Sequence, residues 1–394
     1  MNELAHSTVT TKAFSKWKIM LALIVGISVS SVVLYRSFSV IQFKAVREGT
    51  GTYTWSDSNH NGKIDWSNRS EFIRVSHGNF RQETAGTILK NIHWSTQTVF
   101  WLLLAIAAMI VRDLAYVWRI RILTKRELSF KSSLNVILLW EYASALAPGV
   151  VSGASVAMFL LNKEKINLGK STAIVLITAL FDNLFYVLFI PILLFFFTSS
   201  ALFPASIASS TTATSLFWSG YSIFSILCLF LFLSVFGFPS LLKTVLTTLT
   251  KWYFLKRLQA RASKFGEDIR QTAITMKQEP ISFWLKTFLA TILSWSARFL
   301  VINFVVQAFI TLNFMQQTLL FIKQFVVWMF LRVSPTPGGS GVAEWAFGEL
   351  LADFSTQFVL LGAMAVLWRF ISYYPYLIIG SIILPRWLKR KSIK

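Results

Sequence analysis

The feature that most constrains this chain is a series of apolar runs, each about 20 residues long or longer and nearly free of charge. A helix of that length covers about 30 Å, which is the thickness of the hydrocarbon core of a bilayer. Backbone groups find no water in that core, so an isolated apolar run crosses it as a helix. The pattern predicts an all-α integral membrane protein with about six spanning helices, at residues 19–38, 97–118, 171–197, 216–236, 284–310 and 357–384.

The composition agrees with this class. Of 394 residues, 55% are hydrophobic and 14% are charged, against about 25% charged in a soluble domain, which excludes a soluble enzyme. The net charge of +21 comes from basic residues in loops beside the apolar runs. That is the positive-inside pattern, which indicates contact with anionic lipid headgroups rather than with nucleic acid. With one cysteine (Cys228) and four scattered histidines, neither a disulfide nor a Cys- or His-based metal site is expected.

Charge also orients the chain. Three lysines precede the first run, which lacks an obvious cleavage site and is interpreted as a retained helix rather than a signal peptide. Basic segments at 119–131, 237–283 and 385–394 are predicted to be cytoplasmic, and part of 237–283 is predicted to form an interfacial amphipathic helix. Residues 1–96 are then a first helix and an extracytoplasmic loop, and 97–394 are a transmembrane domain. Both termini are expected in the cytoplasm, and the location in a bacterial cytoplasmic membrane.

Two further apolar regions, 132–163 and 317–352, are interrupted by Pro and Gly. In the first, arms of about 16 and 10 residues cover about 24 Å and 15 Å, too little to cross the core. Lysines flank this region on both sides, while Glu349 and Asp353 lie at the far end of the second. The pattern predicts two re-entrant helical hairpins, the first entered from the cytoplasm and the second from outside. The alternative for the first region is one long broken helix that spans.

The two breaks occupy matching places in the chain. Arg112 lies 36 residues before Pro148, and Arg298 lies 39 residues before Pro337. A charged residue follows each break, Asp182 after 34 residues and Arg369 after 32. The unit of span, broken hairpin and span thus occurs twice, at about 97–236 and 284–385, with opposite orientation. An inverted-topology repeat with matched interrupted segments predicts a transport site at the membrane midplane.

The predicted site is suited to an anion. Pro ends the first half-helix of each hairpin, and Gly allows the backbone to turn and approach a partner. The second half-helix begins near the midplane with free N–H groups and a positive dipole end, and intramembrane arginines add full charge. The candidate binding residues are Arg112, Pro148, Gly149, Gly153, Asp182, Arg298, Pro337, Gly338, Gly339, Gly341, Glu344 and Arg369.

Several of these candidates also have a structural interpretation. A single Pro-Gly break is often only a kink in a membrane helix. Arg112 has Asp113 beside it as a local ion partner, and Arg369 lies where its side chain can snorkel to the membrane surface. Glu344 opens the second half-helix, where a carboxylate complements the helix dipole.

The remaining intramembrane charges leave more than one interpretation open. Arg298 lies in the middle of its span and is the hardest to explain structurally. Glu141 and Asp182 are either structural partners of the arginines or groups that couple to protons or ions. Lys323 and Arg332 are expected to snorkel or to pair locally.

At these residues the chain resembles a known family. The segment 335–344, Pro-Thr-Pro-Gly-Gly-Ser-Gly-Val-Ala-Glu, resembles the PTPGGxGxxE signature of the lysylphosphatidylglycerol synthase transmembrane region, also called flippase-like domain proteins. Residues 147–149 with Gly153 resemble a second mark of that family, in a looser form, and the basic loop with Arg119 and Arg121 resembles a third.

The resemblance covers about residues 95–385 and implies a lipid-translocating membrane domain, which in bacterial members moves aminoacylated phosphatidylglycerol between leaflets. Bifunctional members carry a cytosolic aminoacyl-transferase domain after the membrane part, which this sequence lacks. The resemblance therefore does not imply synthase activity here. Other members are expected to handle other anionic phospholipids or polyprenyl-phosphate-linked glycans.

The first predicted extracytoplasmic loop also resembles part of an EF-hand calcium loop, with Gly62 and Ile64 at the expected positions. Asn68 stands where the bidentate Glu belongs, and Glu71 comes three residues later. The alternative is a hairpin with an Asn-Gly turn, flanked by strands at Trp55 and 71–75. Calcium would be held by Asp57, Asn59, Asn61 and Asp65.

Together these patterns predict transbilayer movement, of the flippase or scramblase kind, of an anionic lipid such as a phospholipid, an aminoacyl-phospholipid or a polyprenyl-phosphate-linked lipid. One alternative is an integral-membrane enzyme acting on a lipid phosphate, although the loops lack clustered catalytic carboxylates or histidines. The other is a non-transporting partner of a cell-envelope biosynthetic enzyme in a glycosylation complex.

Overall fold

A computed structural model gives the fold, and it describes residues 24, 28, 31, 32, 35, 42–58, 60, 62, 64, 68–83, 94–146, 150–251, 259–333, 336, 339–355 and 358–392. The helices within these residues, numbered in chain order, are α1 Thr96–Leu123, α2 Phe130–Leu146, α3 Val150–Lys163, α4 Leu168–Phe196, α5 Ser199–Leu202, α6 Ala205–Ala208, α7 Thr211–Phe232, α8 Leu241–Leu249, α9 Gln259–Lys277, α10 Ile281–Gln307, α11 Phe314–Val333, α12 Val342–Ala352, α13 Phe358–Ser372 and α14 Tyr374–Ser392. A π-helical turn, Leu233–Gly237, follows α7.

The predicted all-α membrane class is confirmed. Within the described residues, six helical stretches are long and apolar enough to cross a membrane: Thr96–Leu123, Leu168–Phe196, Thr211–Gly237, Ile281–Gln307, Phe314–Arg332 and Val359–Lys389. Five of them overlap the predicted spans at 97–118, 171–197, 216–236, 284–310 and 357–384. The predicted span at 19–38 falls almost entirely outside the described residues.

Two predicted boundaries are wrong. Helix α1 begins at the Ser95 cap, whose side chain accepts a hydrogen bond from the Thr98 N–H, and it continues through Arg119 to Leu123. Arg119 is therefore a helical residue, 4% exposed, and not part of a basic loop. The predicted final span, 357–384, is confirmed as the membrane-length stretch Val359–Lys389, but its predicted end is wrong. The stretch is divided at Tyr373 into two helices, and the second continues through much of the basic tail.

The first interrupted region consists of two short helices, α2 with 17 residues and α3 with 14. Their lengths of about 26 Å and 21 Å are both below the core thickness. The helices pack closely, because a Cβ on Gly153 would lie 2.3 Å from the Ser144 hydroxyl oxygen. Gly153 thus serves the crossing of α2 and α3, while Pro148 and Gly149 lie outside the described residues.

The second interrupted region, predicted as a re-entrant hairpin, consists of two helices of unequal length. Helix α11 has 20 residues and could cross the core by itself, whereas α12 has 11 residues and could not. Between them Gly339 and Gly341 have φ values of +69° and +90°, which only glycine adopts without strain. The backbone reversal at this break therefore depends on its glycines. Pro337 and Gly338 lie outside the described residues.

Residues of the predicted extracytoplasmic loop form a four-stranded antiparallel sheet in the order β1-β4-β2-β3, with strands β1 Gln42–Ala45, β2 Gly51–Trp55, β3 Phe72–Gly78 and β4 Phe80–Glu83. Trp55 pairs with Phe72, so the strands of the predicted hairpin alternative are confirmed. Asp57 accepts a hydrogen bond from the Gly62 N–H at 2.8 Å. The other proposed calcium ligands, Asn59, Asn61 and Asp65, lie outside the described residues, and calcium binding stays a prediction.

Helices α8 and α9 occupy the basic segment 237–283 and pack on each other and on α4. A 2.7 Å ion pair between Lys243 and Glu267 joins them. Gly169 permits the approach of α9 to α4, since a Cβ there would lie 2.8 Å from the Asp268 side chain. The predicted helical character of this segment is confirmed, while its position at the membrane surface stays a prediction.

Candidate functional site

Arg112 is the centre of the first buried charge cluster. Its side chain is 1% exposed, and its Nη1 lies 2.9 Å from the Asp113 carboxylate. Its Nη2 lies 2.6 Å from the Glu141 carboxylate on α2, an ion contact that is not aligned as a hydrogen bond. Tyr376 on α14 accepts a 2.6 Å hydrogen bond from Arg112 and donates one of 2.8 Å to Asp113. The local pair with Asp113 is therefore present, but it belongs to a network that joins α1, α2 and α14.

Arg298 on α10 belongs to the same network, but its positive charge lies further from a carboxylate than that of Arg112. Its Nη2 is 3.8 Å from the Glu141 carboxylate and 3.4 Å from the Tyr116 hydroxyl. The guanidinium lies 5.0 Å from the ring centre of Trp295 and 4.9 Å from that of Trp328, both within the range of cation–π attraction. Its Nε is buried and has no hydrogen-bond partner among the described residues.

Asp182 on α4 does not pair with either predicted arginine. Its carboxylate lies 2.6 Å from Arg119, which also donates a 3.0 Å hydrogen bond to the Thr291 hydroxyl. The indole N–H of Trp295 donates to the same Asp182 oxygen at 3.0 Å. Trp295 therefore connects the Asp182 pair to Arg298.

Arg332, at the end of α11, is the fourth arginine of this region. It donates to the Asn183 side chain and, at 3.2 Å, to the Asp182 backbone carbonyl. Its guanidinium lies 4.3 Å from the ring centre of Tyr186 and 5.2 Å from that of Trp295. The prediction that Arg332 snorkels or pairs locally is wrong, since its partners lie on α4, about 150 residues earlier in the chain.

We call these groups the central network, and its charges do not balance. Four arginines (Arg112, Arg119, Arg298 and Arg332) face three carboxylates (Asp113, Glu141 and Asp182). When all are ionised, the network carries one excess positive charge. A buried charge is costly unless it is paired. The described part of the chain thus supplies one carboxylate fewer than its central network needs.

The second glycine-rich break is held by a separate, neutral pair. The Gly341 N–H donates a 2.6 Å hydrogen bond to Glu344, so this carboxylate caps α12 as the structural interpretation predicted. Arg369 donates to Glu344 at 3.0 Å and to the Ser340 hydroxyl at 2.9 Å. Arg369 is 5% exposed and does not snorkel. These contacts indicate that Glu344 and Arg369 fix the break.

Tyr373 brings the two breaks together. It lies at the interruption between α13 and α14 and donates a 3.3 Å hydrogen bond to the carbonyl of Ala145, near the end of α2. It also interacts with the Ser340 side chain of the second break. Tyr373 therefore links the end of α2 to the second break.

Lys323 on α11 is not a snorkelling side chain either. It is 6% exposed, lies 3.0 Å from the Asp353 carboxylate just after α12, and donates to the Phe203 carbonyl. Asp353 in turn accepts a 3.1 Å hydrogen bond from the Ala205 N–H. This pair is neutral and joins the two helices of the second interrupted region to the α5–α6 segment.

The structure therefore divides the predicted site residues. Arg112 and Arg298 share Glu141, whereas Asp182 reaches them through Arg119, Tyr116 and Trp295. Gly339, Gly341, Glu344 and Arg369 form the second break, and Gly153 serves helix packing. Sequence reasoning missed several contributors, although one signal was available in α1, where charged and aromatic residues recur on one helical face. The missed residues include Tyr116, Arg119, Trp295, Trp328, Arg332 and Tyr376.

These features define a multi-pass helical membrane protein with a buried arginine–carboxylate network between its helices. The family model for the lysylphosphatidylglycerol synthase transmembrane region matches residues 82–380, and the chain belongs to this family. The resemblance found in the glycine-rich motif is thereby confirmed.

The chain is also similar to a protein named UPF0104 membrane protein from Archaeoglobus fulgidus, to which it is 25% identical over 293 residues. That match covers 72% of this chain and 85% of the relative. No solved structure matches the chain.

Proposed function

We propose that this protein moves an anionic lipid headgroup across the bilayer and that Arg298 binds its phosphate. The observation that carries the proposal is the unbalanced charge of the central network. Three of its arginines contact a carboxylate, and among these Arg298 has the longest contact, 3.8 Å to Glu141. A phosphodiester headgroup carries one negative charge and would neutralise the network. Membership in the lysylphosphatidylglycerol synthase transmembrane family supports a lipid-related role.

Hydrogen-bond donors around Arg298 also suit a phosphate. Of the buried side-chain atoms without a hydrogen-bond partner among the described residues, three are donors close to Trp295: Arg298 Nε, Trp328 Nε1 and the Tyr186 hydroxyl. All three belong to side chains packed around Trp295, since Trp328 lies 5.8 Å and Tyr186 5.1 Å from its ring centre. A buried donor without a partner costs about 1–3 kcal/mol. Phosphate oxygens would accept from these donors in a substrate complex.

The proposed mechanism alternates the access of this central site between the two leaflets. The α2–α3 pair and the α11–α12 pair are proposed to act as two hairpins of an inverted repeat, one from each side. Glu141 would hold Arg298 between transport events, and the phosphate would replace it. The protein is proposed to reside in a bacterial cytoplasmic membrane with both termini inside, where the headgroup's synthesis could be completed by a separate cell-envelope enzyme.

The hairpin arrangement makes a testable prediction. In a variant with Cys228 replaced, single cysteines at the exposed positions Asn167 and Ala352 are expected to react with an impermeant thiol reagent from opposite sides of the membrane. Labelling in sealed right-side-out and inverted vesicles measures this. Reaction of both positions from the same side would contradict the inverted hairpins.

The function itself is tested in proteoliposomes. We expect purified protein to accelerate the exchange of acyl-labelled phosphatidylglycerol between leaflets, with phosphatidylcholine moving much more slowly. Fluorescence quenching by an impermeant reductant measures the accessible fraction over time. If neither lipid moves faster than in empty liposomes, with and without a proton gradient, the transport proposal is wrong and an enzyme or partner role replaces it.

A further inference from the structure

A chain of four amide side chains links α10 and α11, and two of them, Asn303 and Gln324, are buried. Gln307 accepts a 3.0 Å hydrogen bond from the Leu312 N–H and a second one from the Gln317 amide. Asn303 donates to the Gln317 side chain at 2.6 Å, and Gln324 donates to the Asn303 carbonyl oxygen at 2.9 Å. The Oε1 atom of Gln324 ends this chain, and we call the four side chains the amide relay.

The orientation of the relay is fixed by the backbone. Because the Leu312 N–H can only donate, Gln307 must present its oxygen there. Gln317 then donates to Gln307, and its own oxygen accepts from Asn303. Gln324 must therefore donate to Asn303, which also lets its NH₂ group reach the Leu320 carbonyl at 3.3 Å.

The relay consequently ends in an acceptor that lacks a donor. Gln324 is 0% exposed, and its Oε1 has no hydrogen-bond partner among the described residues. Exchanging the oxygen and nitrogen positions of the Gln324 amide would not give this oxygen a donor. The oxygen would then face two acceptors, the Asn303 oxygen and the Leu320 carbonyl. A buried acceptor of this kind calls for a donor that arrives with a ligand.

The position of this acceptor relates it to the phosphate site. Gln324 lies one helical turn, about 6 Å, from Trp328 on the same face of α11. Trp328 is the residue whose ring stacks on Arg298. The acceptor lies one turn of α11 from the ring that contacts Arg298, and the inference below places there the group that a phosphodiester carries beyond its phosphate.

The chemistry of the relay selects the donor. All four side chains are uncharged amides. The carboxylates of the central network contact Arg112, Arg119 and Arg298 instead. An ammonium group placed at Gln324 would be buried without a counter-charge, which is costly. A hydroxyl group would donate one hydrogen bond at no such cost.

We infer that the headgroup carried by this protein is a singly charged phosphodiester bearing a hydroxyl group, as in glycerol or a sugar, and that Gln324 accepts from that hydroxyl. This inference rests on the proposed function, because it places the phosphate at Arg298. It distinguishes hydroxylated headgroups from those that carry an amine.

The test compares two lipids that differ only in headgroup hydroxyls. Acyl-labelled phosphatidylglycerol and phosphatidylpropanol have the same charge and nearly the same size. We expect wild-type protein in proteoliposomes to move phosphatidylglycerol roughly fivefold faster, the effect of about one net hydrogen bond. Gln324→Leu is expected to abolish this preference, so that phosphatidylglycerol and phosphatidylpropanol move at the same rate. Ser133→Ala, a buried polar residue on α2, is the control and should keep the preference.

The outcomes separate the two proposals. Equal wild-type rates for both lipids, or a loss of both rates in Gln324→Leu with normal thermal stability, overturn the hydroxyl inference and leave anionic-lipid transport standing. Movement of neither lipid overturns the proposed function itself. The wild-type comparison needs no variant, so a folding defect in Gln324→Leu does not remove the test. Phosphatidylserine, which is anionic but carries an ammonium group, is expected to follow phosphatidylpropanol.

Discussion

Replacing Arg298 with alanine is expected to slow the translocation of phosphatidylglycerol roughly 10- to 100-fold, the effect of losing a charge-assisted hydrogen bond worth about 1.5–3 kcal/mol. The reason is the weak internal neutralisation of this side chain, which lies 3.8 Å from Glu141 and between two indole rings. Arg112, by contrast, has carboxylates at 2.9 Å and 2.6 Å. Of these two arginines, Arg298 is the one whose charge is less closely neutralised by carboxylates.

The measurement is the initial rate of leaflet exchange in proteoliposomes with equal protein content. Lys286→Ala, which removes an exposed basic residue from the same helix, is the matched control and should keep the wild-type rate. Arg298→Lys keeps the charge but loses the planar group that stacks on aromatic rings, so an intermediate rate is expected. A wild-type rate in Arg298→Ala would exclude this residue as the phosphate anchor.

The basal movement of phosphatidylcholine provides a second readout. Its zwitterionic headgroup does not supply the missing negative charge, so its slow rate should respond little to Arg298→Ala. An equal loss of both rates would indicate a general effect on the fold rather than on anion binding.

The fold was largely predictable because it depends on one-dimensional properties. Apolar length and loop charge located five spans and the interruptions at 132–163 and 317–352, since the bilayer imposes both constraints locally. Helix α11 was assigned to a re-entrant hairpin, although it is long enough to cross the core with Lys323 and Arg332 inside it. Both charges are neutralised or bonded by residues far away in sequence, Asp353 for Lys323 and Asn183 for Arg332.

The central network was predictable only in part, for the same reason. Arg112 and Arg298 were recognised because a charge inside an apolar run is conspicuous. Arg119 was assigned to a loop because it is followed by other basic residues, whereas its partner Asp182 lies 63 positions away on α4. Pairing across helices depends on packing geometry, which a single sequence does not contain. The amide relay was missed because neutral Gln and Asn residues leave no charge signal.

The pair of Glu344 and Arg369 is expected to dominate stability rather than transport. Their side chains are 0% and 6% exposed, and each bonds to the glycine-rich break as well as to the other. Removing one partner of such a pair leaves a buried charge alone, at a cost of about 3–5 kcal/mol. Glu344→Gln is the sharpest single change, because its amide oxygen can still accept from the Gly341 N–H while the counter-charge of Arg369 is lost.

A double-mutant cycle separates the charge pairing from the packing. We expect Glu344→Gln and Arg369→Met each to lower the thermal stability of the detergent-solubilised protein strongly. The double variant should be at least as stable as the less stable of the two single variants, because it buries no lone charge. The exposed pair on α8 and α9 provides the control, and Glu267→Gln there should change little. Additive losses in the double variant would mean that the two residues act independently, and that the break is held by its backbone and glycines alone.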